Sequence, residues 1–267
     1  MQRSAVSNFL VTSGKPPLLL LHGIAMSGKA WQDVVPLLSV HHQVYAPTAP
    51  GHNGGPALQR RPAAMADVVD ATERYLDEQG LDRPHLAGNS MGGLVAIELA
   101  RRGRAATVCA FSPGGFWSAG DGFQARAFNK LERGVALGRL ARPILPLMYK
   151  SATVRRLLLR DVAYHGDRIS AAQALEIIDD GIGCAILADL CAADWEIARL
   201  DPPPCPITIV WGEKETFLPP EAHGKIQRIP QASIKTLSDV GHVPMVDDPD
   251  LVARTILTTT GAGLEQK

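Results

Sequence analysis

A serine lies among glycines in the segment GNSMGG, where a short apolar run gives way to a helical pattern. Gly88 and Gly92 flank Ser90 two residues to either side, which fits G-x-S-x-G between a predicted strand and a predicted helix. A tight turn there exposes the serine hydroxyl and directs the backbone N–H of Met91 to the space in front of it. The spacing predicts a nucleophile at Ser90 with Met91 as one oxyanion donor, against the alternative of an ordinary strand-to-helix loop.

A serine hydroxyl is a weak nucleophile and needs a base within reach. Of the eight histidines in the chain, His242 is the best placed, because it follows the last predicted strand. Sites in open parallel sheets form at that edge. His242 also comes last in the chain order serine, acid, histidine. We predict His242 as the base; His22, at the end of the first strong strand, is the rival, and a solvated surface histidine is the plain alternative.

An acid between Ser90 and His242 is needed to orient the imidazole. The segment WGEKETFLPP, after another predicted strand, offers Glu213 and Glu215. We favour Glu215 because it lies three residues beyond Gly212, far enough to turn back over the sheet edge. Asp239 is close to His242 in sequence but precedes the turn, so it comes third. Each of these carboxylates is otherwise an ordinary surface residue.

A second oxyanion donor is expected in the loop HGIAMSG, after the first strong strand. Gly23 allows close approach of the backbone, and the N–H of Ile24 is the first candidate, before that of Ala25. The alternative is that His22 and Gly23 only end a strand.

Six apolar runs alternate with helical patterns, which favours a parallel α/β sheet. The alternation stops between residues 116 and 200, where several helices are predicted instead. We interpret residues 116–200 as a helical insertion over a sheet edge, and residues 1–115 and 201–267 as the core domain.

Composition excludes several classes of protein. The 267 residues are 46% hydrophobic and 20% charged, with no net charge, so nucleic acid is not an expected partner. No segment has the length of a membrane span or an apolar signal core. The four cysteines show no CxxC pair, and free thiols in the cytoplasm are the simplest interpretation. We expect no metal, no organic cofactor, and a monomer or weak homo-oligomer.

Five segments taken together resemble the α/β-hydrolase family, in its serine-nucleophile branch of carboxylesterases and meta-cleavage hydrolases. In chain order they are LLLLHG, PTAPGH, GNSMGG, WGEKETFLP and VGHVPMVDDP. The resemblance implies an eight-stranded, mostly parallel sheet with a helical cap inserted after the sixth strand. It also implies the same roles for Ser90, His242, Ile24 and Met91. The acid position is usually aspartate in this branch, and here it is Glu215.

The resemblance favours hydrolysis of a small or medium carboxylic ester through an acyl-enzyme. Branches with an aspartate nucleophile, such as haloalkane dehalogenases and epoxide hydrolases, are excluded by Ser90. A carbon–carbon bond hydrolase of the meta-cleavage type is the first alternative, although Val243 replaces the tryptophan that usually follows the histidine. A non-catalytic protein that binds a small molecule on the same fold is the second.

The substrate pocket is expected between the sheet edge and the insertion. Its possible walls are apolar side chains, and each of them has ordinary core packing as its plain alternative. They are Phe116, Trp117, Met148, Tyr149 and Phe217.

Overall fold

The computed structural model describes residues 14–58, 60–117, 122–193, 195–218 and 225–262. Within these residues, six strands form one parallel sheet in the order β2-β1-β3-β4-β5-β6. The strands are β1 (Pro17–Leu21), β2 (Gln43–Tyr45), β3 (His85–Asn89), β4 (Val108–Phe111), β5 (Ile207–Gly212) and β6 (Ser233–Leu237).

Helices cover the sheet and fill the long connection between β4 and β5. The helices outside that connection are α1 (Val35–Leu38), α2 (Met65–Glu78), α3 (Met91–Arg101), α9 (Pro244–Asp247) and α10 (Pro249–Thr260), with a 3₁₀ turn at Gly28–Trp31. Those within it are α4 (Phe123–Ala141), α5 (Leu145–Met148), α6 (Ala152–Leu158), α7 (Ala171–Gly183) and α8 (Leu187–Ala192).

The strands are apolar on both faces because helices pack against both faces of the sheet. In β1, Leu18 and Leu20 belong to one buried cluster, and Leu19 and Leu21 belong to the cluster on the other side. The same alternation continues through the other central strands. A continuous apolar run such as LLLL therefore suits a strand in the middle of this sheet.

The helices between β4 and β5 have a small core of their own. It contains Leu145, Tyr149, Leu159, Ala163, Ile169 and Ala174. The two ends of the connection, including Trp117 and Leu190, pack into the main core instead. The insertion thus joins the main core at its ends and has a core of its own in the middle, where Val162 and Ile177 also pack against the cluster on the other side of the sheet.

The six apolar runs predicted as strands are all strands, and the α/β architecture is confirmed. The resemblance implied eight strands, whereas the described residues contain six, so the insertion follows the fourth strand of this sheet. Residues 1–13 of the predicted core domain lie outside the described residues. The division into a core domain and a cap at residues 116 and 200 stays a prediction.

None of the described helices combines the length and apolarity needed to cross a membrane. The four cysteines are all free. Among the described residues there is no cluster of three or more potential metal-ligating side chains.

Candidate active site

Ser90 occupies the turn between β3 and α3 with a backbone conformation that non-glycine residues rarely adopt. Its φ is 54° and its ψ is −113°. The Ser90 N–H donates to the Phe111 carbonyl over 2.9 Å, and the Gly114 N–H donates to the Ser90 carbonyl over 3.1 Å. Strained conformations persist only where the surroundings hold them in place. Here the two hydrogen bonds to Phe111, at the end of β4, and to Gly114 hold the Ser90 backbone in its strained conformation.

The glycines of the motif are required by backbone contacts. A Cβ atom at Gly88 would lie 2.2 Å from the Gly92 carbonyl oxygen, and one at Gly92 would lie 2.2 Å from the Leu21 carbonyl oxygen. Because both obstacles are main-chain atoms, no side-chain rotation relieves the clash. The close packing of α3 on β1 and β3 therefore depends on these two positions.

His242 and Glu215 are in direct contact at the carboxyl edge of the sheet. The Nδ1 atom of His242 lies 2.7 Å from Oε2 of Glu215, and the two side chains are only 7% and 4% exposed. Glu215 follows β5, and His242 follows β6. These strands are parallel neighbours, so the loops after their carboxyl ends meet.

The environment of Glu215 keeps its carboxylate ionised. Burial alone would raise the pKa of Glu215, but attraction to His242 and the hydrogen bond between them act the other way. The N–H groups of Phe217 and Leu218 also donate to Oε1, over 2.7 Å and 3.0 Å. Together these contacts lower the pKa to about 2.

The two other candidate carboxylates have different partners. Glu213 accepts the backbone N–H of Asp239 and pairs with Lys214. Asp239 lies 2.8 Å from Nε2 of His165, a histidine of the insertion. The structure therefore places Glu215, and not Glu213 or Asp239, beside His242.

His22, the rival base, has both ring nitrogens engaged by the backbone. Its Nε2 accepts the N–H of Ala49 over 2.9 Å, and its Nδ1 therefore carries the proton that it donates to the Gly23 carbonyl over 2.8 Å. Burial, with a smaller contribution from His52, lowers the pKa of His22 to about 3. A neutral imidazole with no free nitrogen holds two loops together and does not act as a base.

The two predicted oxyanion donors flank Ser90. Ile24 lies in the loop after β1, and Met91 is the first residue of α3. Within the described part of the chain, neither N–H donates a hydrogen bond to a protein acceptor. Gly23 brings the first loop close, since a Cβ there would lie 3.4 Å from Cβ of Ser90.

Ser90 and His242 line the same cavity, which has a volume of about 160 Å³. Lys130 and Asp161 are the two charged side chains on its wall, and they form an ion pair at 2.7 Å. Most of the wall is apolar and comes from the insertion: Leu131, Val135, Leu158, Leu159, Val162, Ile177 and Ile178.

Of the five predicted pocket walls, Phe217 lines this cavity and the other four do not. Phe116 and Trp117 are buried in the main core, where Trp117 packs against Trp195. Tyr149 lies in the small core of the insertion, and Met148 packs against it. An apolar side chain fits a core as well as a pocket, and the structure places these four in or against cores and not on the wall of the Ser90 cavity.

Two residues beside the site escaped the sequence analysis. The amide of Asn89 donates to the His242 carbonyl over 2.8 Å and to the Phe111 carbonyl over 3.2 Å. The carboxylate of Asp247 accepts the N–H groups of Gly241, Tyr164 and His165. Both residues stand in the quoted motifs, but their spacing alone gives no sign of these partners.

Known proteins are similar to this chain in sequence and in fold. A model described as the alpha/beta hydrolase family matches residues 18–255. Epoxide hydrolase EphH of Mycobacterium tuberculosis is 29% identical over 199 residues, which cover 72% of this chain and 93% of that protein. The pimeloyl-acyl-carrier-protein methyl ester esterase of Aromatoleum aromaticum is 28% identical over 251 residues, which cover 88% of this chain and 94% of that protein. The chain spans only 60% and 63% of the length of two further relatives.

A solved structure of a thermophilic esterase from Thermogutta terrifontis shares the fold. It has a TM-score of 0.67 at 23% identity and covers 91% of this chain and 88% of that chain. The family resemblance found in the motifs is thus confirmed. Since the family model spans most of the chain, including Ser90, Glu215 and His242, the protein is an enzyme of the alpha/beta hydrolase family.

Proposed function

We propose that the protein is a serine carboxylic-ester hydrolase, in which Ser90 is the nucleophile, His242 the base and Glu215 the orienting acid. One arrangement carries the proposal. Ser90, on a strained turn, lines the same cavity as His242, and Nδ1 of His242 contacts the buried carboxylate of Glu215. An imidazole held in this way can accept the serine proton, while the carboxylate stabilises the resulting cation.

The first half of the proposed reaction forms an acyl-enzyme. Ser90 Oγ attacks the ester carbonyl carbon, and its proton passes to Nε2 of His242. The carbonyl oxygen becomes an oxyanion, which the N–H groups of Ile24 and Met91 stabilise. When the carbon–oxygen bond to the alcohol breaks, His242 returns the proton to the departing alcohol oxygen.

The second half releases the acid. His242 takes a proton from water as the water oxygen attacks the acyl carbon, and Ser90 leaves with that proton. Glu215 stays ionised throughout, which agrees with its pKa of about 2. It fixes the Nδ1–H tautomer of His242 and leaves Nε2 free to face the reacting atoms.

The shape of the cavity supports an ester with a short apolar acyl group. The wall is mostly aliphatic, and the volume is about 160 Å³. Burial of methylene groups against such a wall favours binding, whereas a long chain exceeds the available space.

Epoxide hydrolysis is named for one relative, but the residue at position 90 argues against it here. Opening of an epoxide by a carboxylate leaves an ester, which water can hydrolyse. Opening by a serine hydroxyl would leave an ether, which water does not hydrolyse. We therefore expect no sustained turnover of an epoxide such as styrene oxide.

The test is kcat/KM on p-nitrophenyl esters from acetate to laurate, measured for the wild type and for Ser90→Ala. We expect Ser90→Ala to lose roughly 10³-fold or more, with an unchanged melting temperature. The highest kcat/KM should be found for an ester whose acyl group is shorter than laurate. A fluorophosphonate should label the wild type and not the variant.

Other outcomes would overturn the proposal. Labelling of Ser90 without turnover of any ester, together with cleavage of a meta-cleavage dienoate, would favour a carbon–carbon bond hydrolase. Neither labelling nor turnover, with ligands that raise the melting temperature, would favour a binding protein.

A further inference from the structure

Exposed aliphatic side chains are concentrated on one part of the insertion. Among the described residues, eight large hydrophobic side chains are exposed, and six of them lie between residues 137 and 158. Their exposed fractions run from 50% to 81%. They are Leu137, Leu140, Ile144, Leu147, Leu157 and Leu158. We call these side chains, with the basic residues among them, the α4–α6 face. Exposed apolar area of this kind marks a site of interaction.

The same stretch of chain is strongly basic. Residues 133–160 contain seven lysines and arginines and no aspartate or glutamate. The whole chain has 27 basic and 27 acidic residues, so the remainder is acidic by seven charges. Arg133, Lys150 and Arg160 have no ion-pair partner within the described part of the chain. The α4–α6 face therefore combines exposed leucines with positive charge that the protein does not neutralise.

This face is continuous with the candidate active site. Leu158 is half exposed and also lines the cavity of Ser90. Gly134 on α4 is exposed and lines the same cavity. Whatever covers the α4–α6 face thus lies beside the opening to Ser90.

The charges decide between possible occupants. In a symmetric dimer the same surface meets itself, so a second copy of this chain would bring Arg133, Lys150 and Arg160, which lack ion-pair partners among the described residues, against the same three cations. An acidic protein would satisfy the cations, but it would also need an apolar patch of matching shape for the six exposed aliphatic side chains. A lipid layer with anionic headgroups satisfies both, because the headgroups bind arginine and lysine while the acyl region takes up leucine.

We propose that the α4–α6 face docks on an anionic lipid surface and brings the opening of the Ser90 cavity to that surface. The proposed docking rests only on the exposed aliphatic side chains and on those basic residues of the α4–α6 face that lack an ion-pair partner among the described residues. The delivery of short-chain esters dissolved in that lipid surface to Ser90 rests, in addition, on the proposed esterase function. Binding is therefore measured on the Ser90→Ala variant, so that a failure of docking and a failure of catalysis are distinguishable.

The experiment is co-sedimentation with vesicles of phosphatidylcholine, with and without phosphatidylglycerol. We expect binding to the anionic vesicles at low salt and release at high salt. Leu140→Ser combined with Leu147→Ser should weaken the partition constant about tenfold or more. Val40→Ser combined with Ile234→Ser is the matched control, because these side chains are 66% and 56% exposed outside the face.

The charge contribution has its own pair of variants. Arg133→Gln and Arg160→Gln should each weaken binding to anionic vesicles about fivefold, whereas Arg254→Gln on α10 should not. Turnover of p-nitrophenyl acetate by the corresponding variants with Ser90 intact should be unchanged, which checks their folding. Equal binding to neutral vesicles, absence of binding, or equal loss in the control variants would overturn the proposal. So would a dimer that the leucine variants dissociate.

Discussion

The carboxyl edge of the sheet and the α4–α6 face use their residues in opposite ways. At the sheet edge, polar side chains are buried and held, as His242 is by Glu215. On the α4–α6 face, leucines are exposed and cations such as Arg133 lack a partner among the described residues. The first arrangement fixes groups for chemistry, and the second leaves surface available for binding. Substitutions should therefore separate the two regions.

Two histidine–carboxylate pairs, one within the sheet edge and one between the sheet edge and the insertion, give the largest expected contrast. His242 contacts Glu215 at the sheet edge, and His165 of the insertion contacts Asp239 at 2.8 Å. We expect His242→Ala to lower kcat/KM by roughly 10³- to 10⁶-fold, because the serine loses its base. His165→Ala should stay within about tenfold of the wild type. Equal losses in ester turnover would show that the two pairs do not differ in role.

The next largest effect on turnover is expected at Glu215, the proposed orienting acid. Glu215→Gln removes the charge that stabilises the imidazolium, and kcat should fall roughly 10³- to 10⁴-fold. Glu213→Gln and Asp239→Asn are the controls, since neither contacts His242, and each should remain within about threefold of the wild type. A mild effect of Glu215→Gln beside a large effect of either control would reassign the acid.

The pH dependence of stability sharpens this assignment. The pKa of Glu215 in the folded protein is lowered from 4.5 to about 2. Its carboxylate therefore stabilises the fold above the unfolded-state pKa, and this contribution is lost as the pH falls through the folded-state pKa. Urea unfolding should show Glu215→Gln less stable than the wild type at neutral pH, with the difference shrinking between about pH 4.5 and pH 2. A difference in the free energy of unfolding that stays constant over this pH range would contradict the expected role of Glu215.

Asp247 joins the sheet edge to the insertion, and its removal should have a moderate effect. It accepts Gly241 N–H, next to His242, over 2.7 Å, and also the Tyr164 and His165 N–H groups of the insertion. We expect Asp247→Asn to lower kcat roughly 10- to 100-fold through misplacement of His242. The free energy of unfolding should fall by roughly 2–3 kcal/mol.

The neighbouring aspartate provides the control for that experiment. Asp248 caps α10 by accepting the Leu251 N–H over 2.8 Å, and asparagine caps helices equally well. Asp248→Asn should leave both kcat and stability close to the wild type. If Asp247→Asn were equally silent, Asp247 would not position His242.

The smallest expected effect concerns the cavity wall. Ile178 lines the cavity, whereas Met148 packs in the small core of the insertion. Ile178→Ala should raise KM for a longer ester about three- to tenfold, through lost apolar contact. Met148→Ala should leave KM within about twofold. The reverse pattern would restore Met148 as a wall of the substrate pocket.

The sheet edge is the part of the molecule that the sequence predicts well. Each buried strand is a short apolar run, and each candidate residue stands at the end of one, as Ser90, Glu215 and His242 do. Parallel strands bring such ends to one edge. The reach of the loop after Gly212 favoured Glu215 over Glu213, and the structure places Glu215 in contact with His242.

The insertion is less predictable because its contacts join distant helices. Val135 on α4, Leu158 on α6 and Ile178 on α7 meet only through tertiary packing, and no local pattern separates them from core residues. Phe116 and Trp117 were chosen for their aromatic type, which is equally suited to the main core where they lie. Side chains that bind the backbone of another segment, such as Asn89, leave no periodic signal.

The order of the strands also has a consequence for folding on the ribosome. β4 and β5 are adjacent in the sheet, although residues 112–206 separate them along the chain. Ser90 can reach its turn once β4 has formed, but Glu215 and His242 belong to segments that are synthesised later. In the proposed mechanism, Ser90 remains an unactivated hydroxyl until those segments emerge and pair. We therefore expect a nascent chain without β5 and β6 to show no reactivity at Ser90, and the proposed nucleophile to become active only when the sheet is complete.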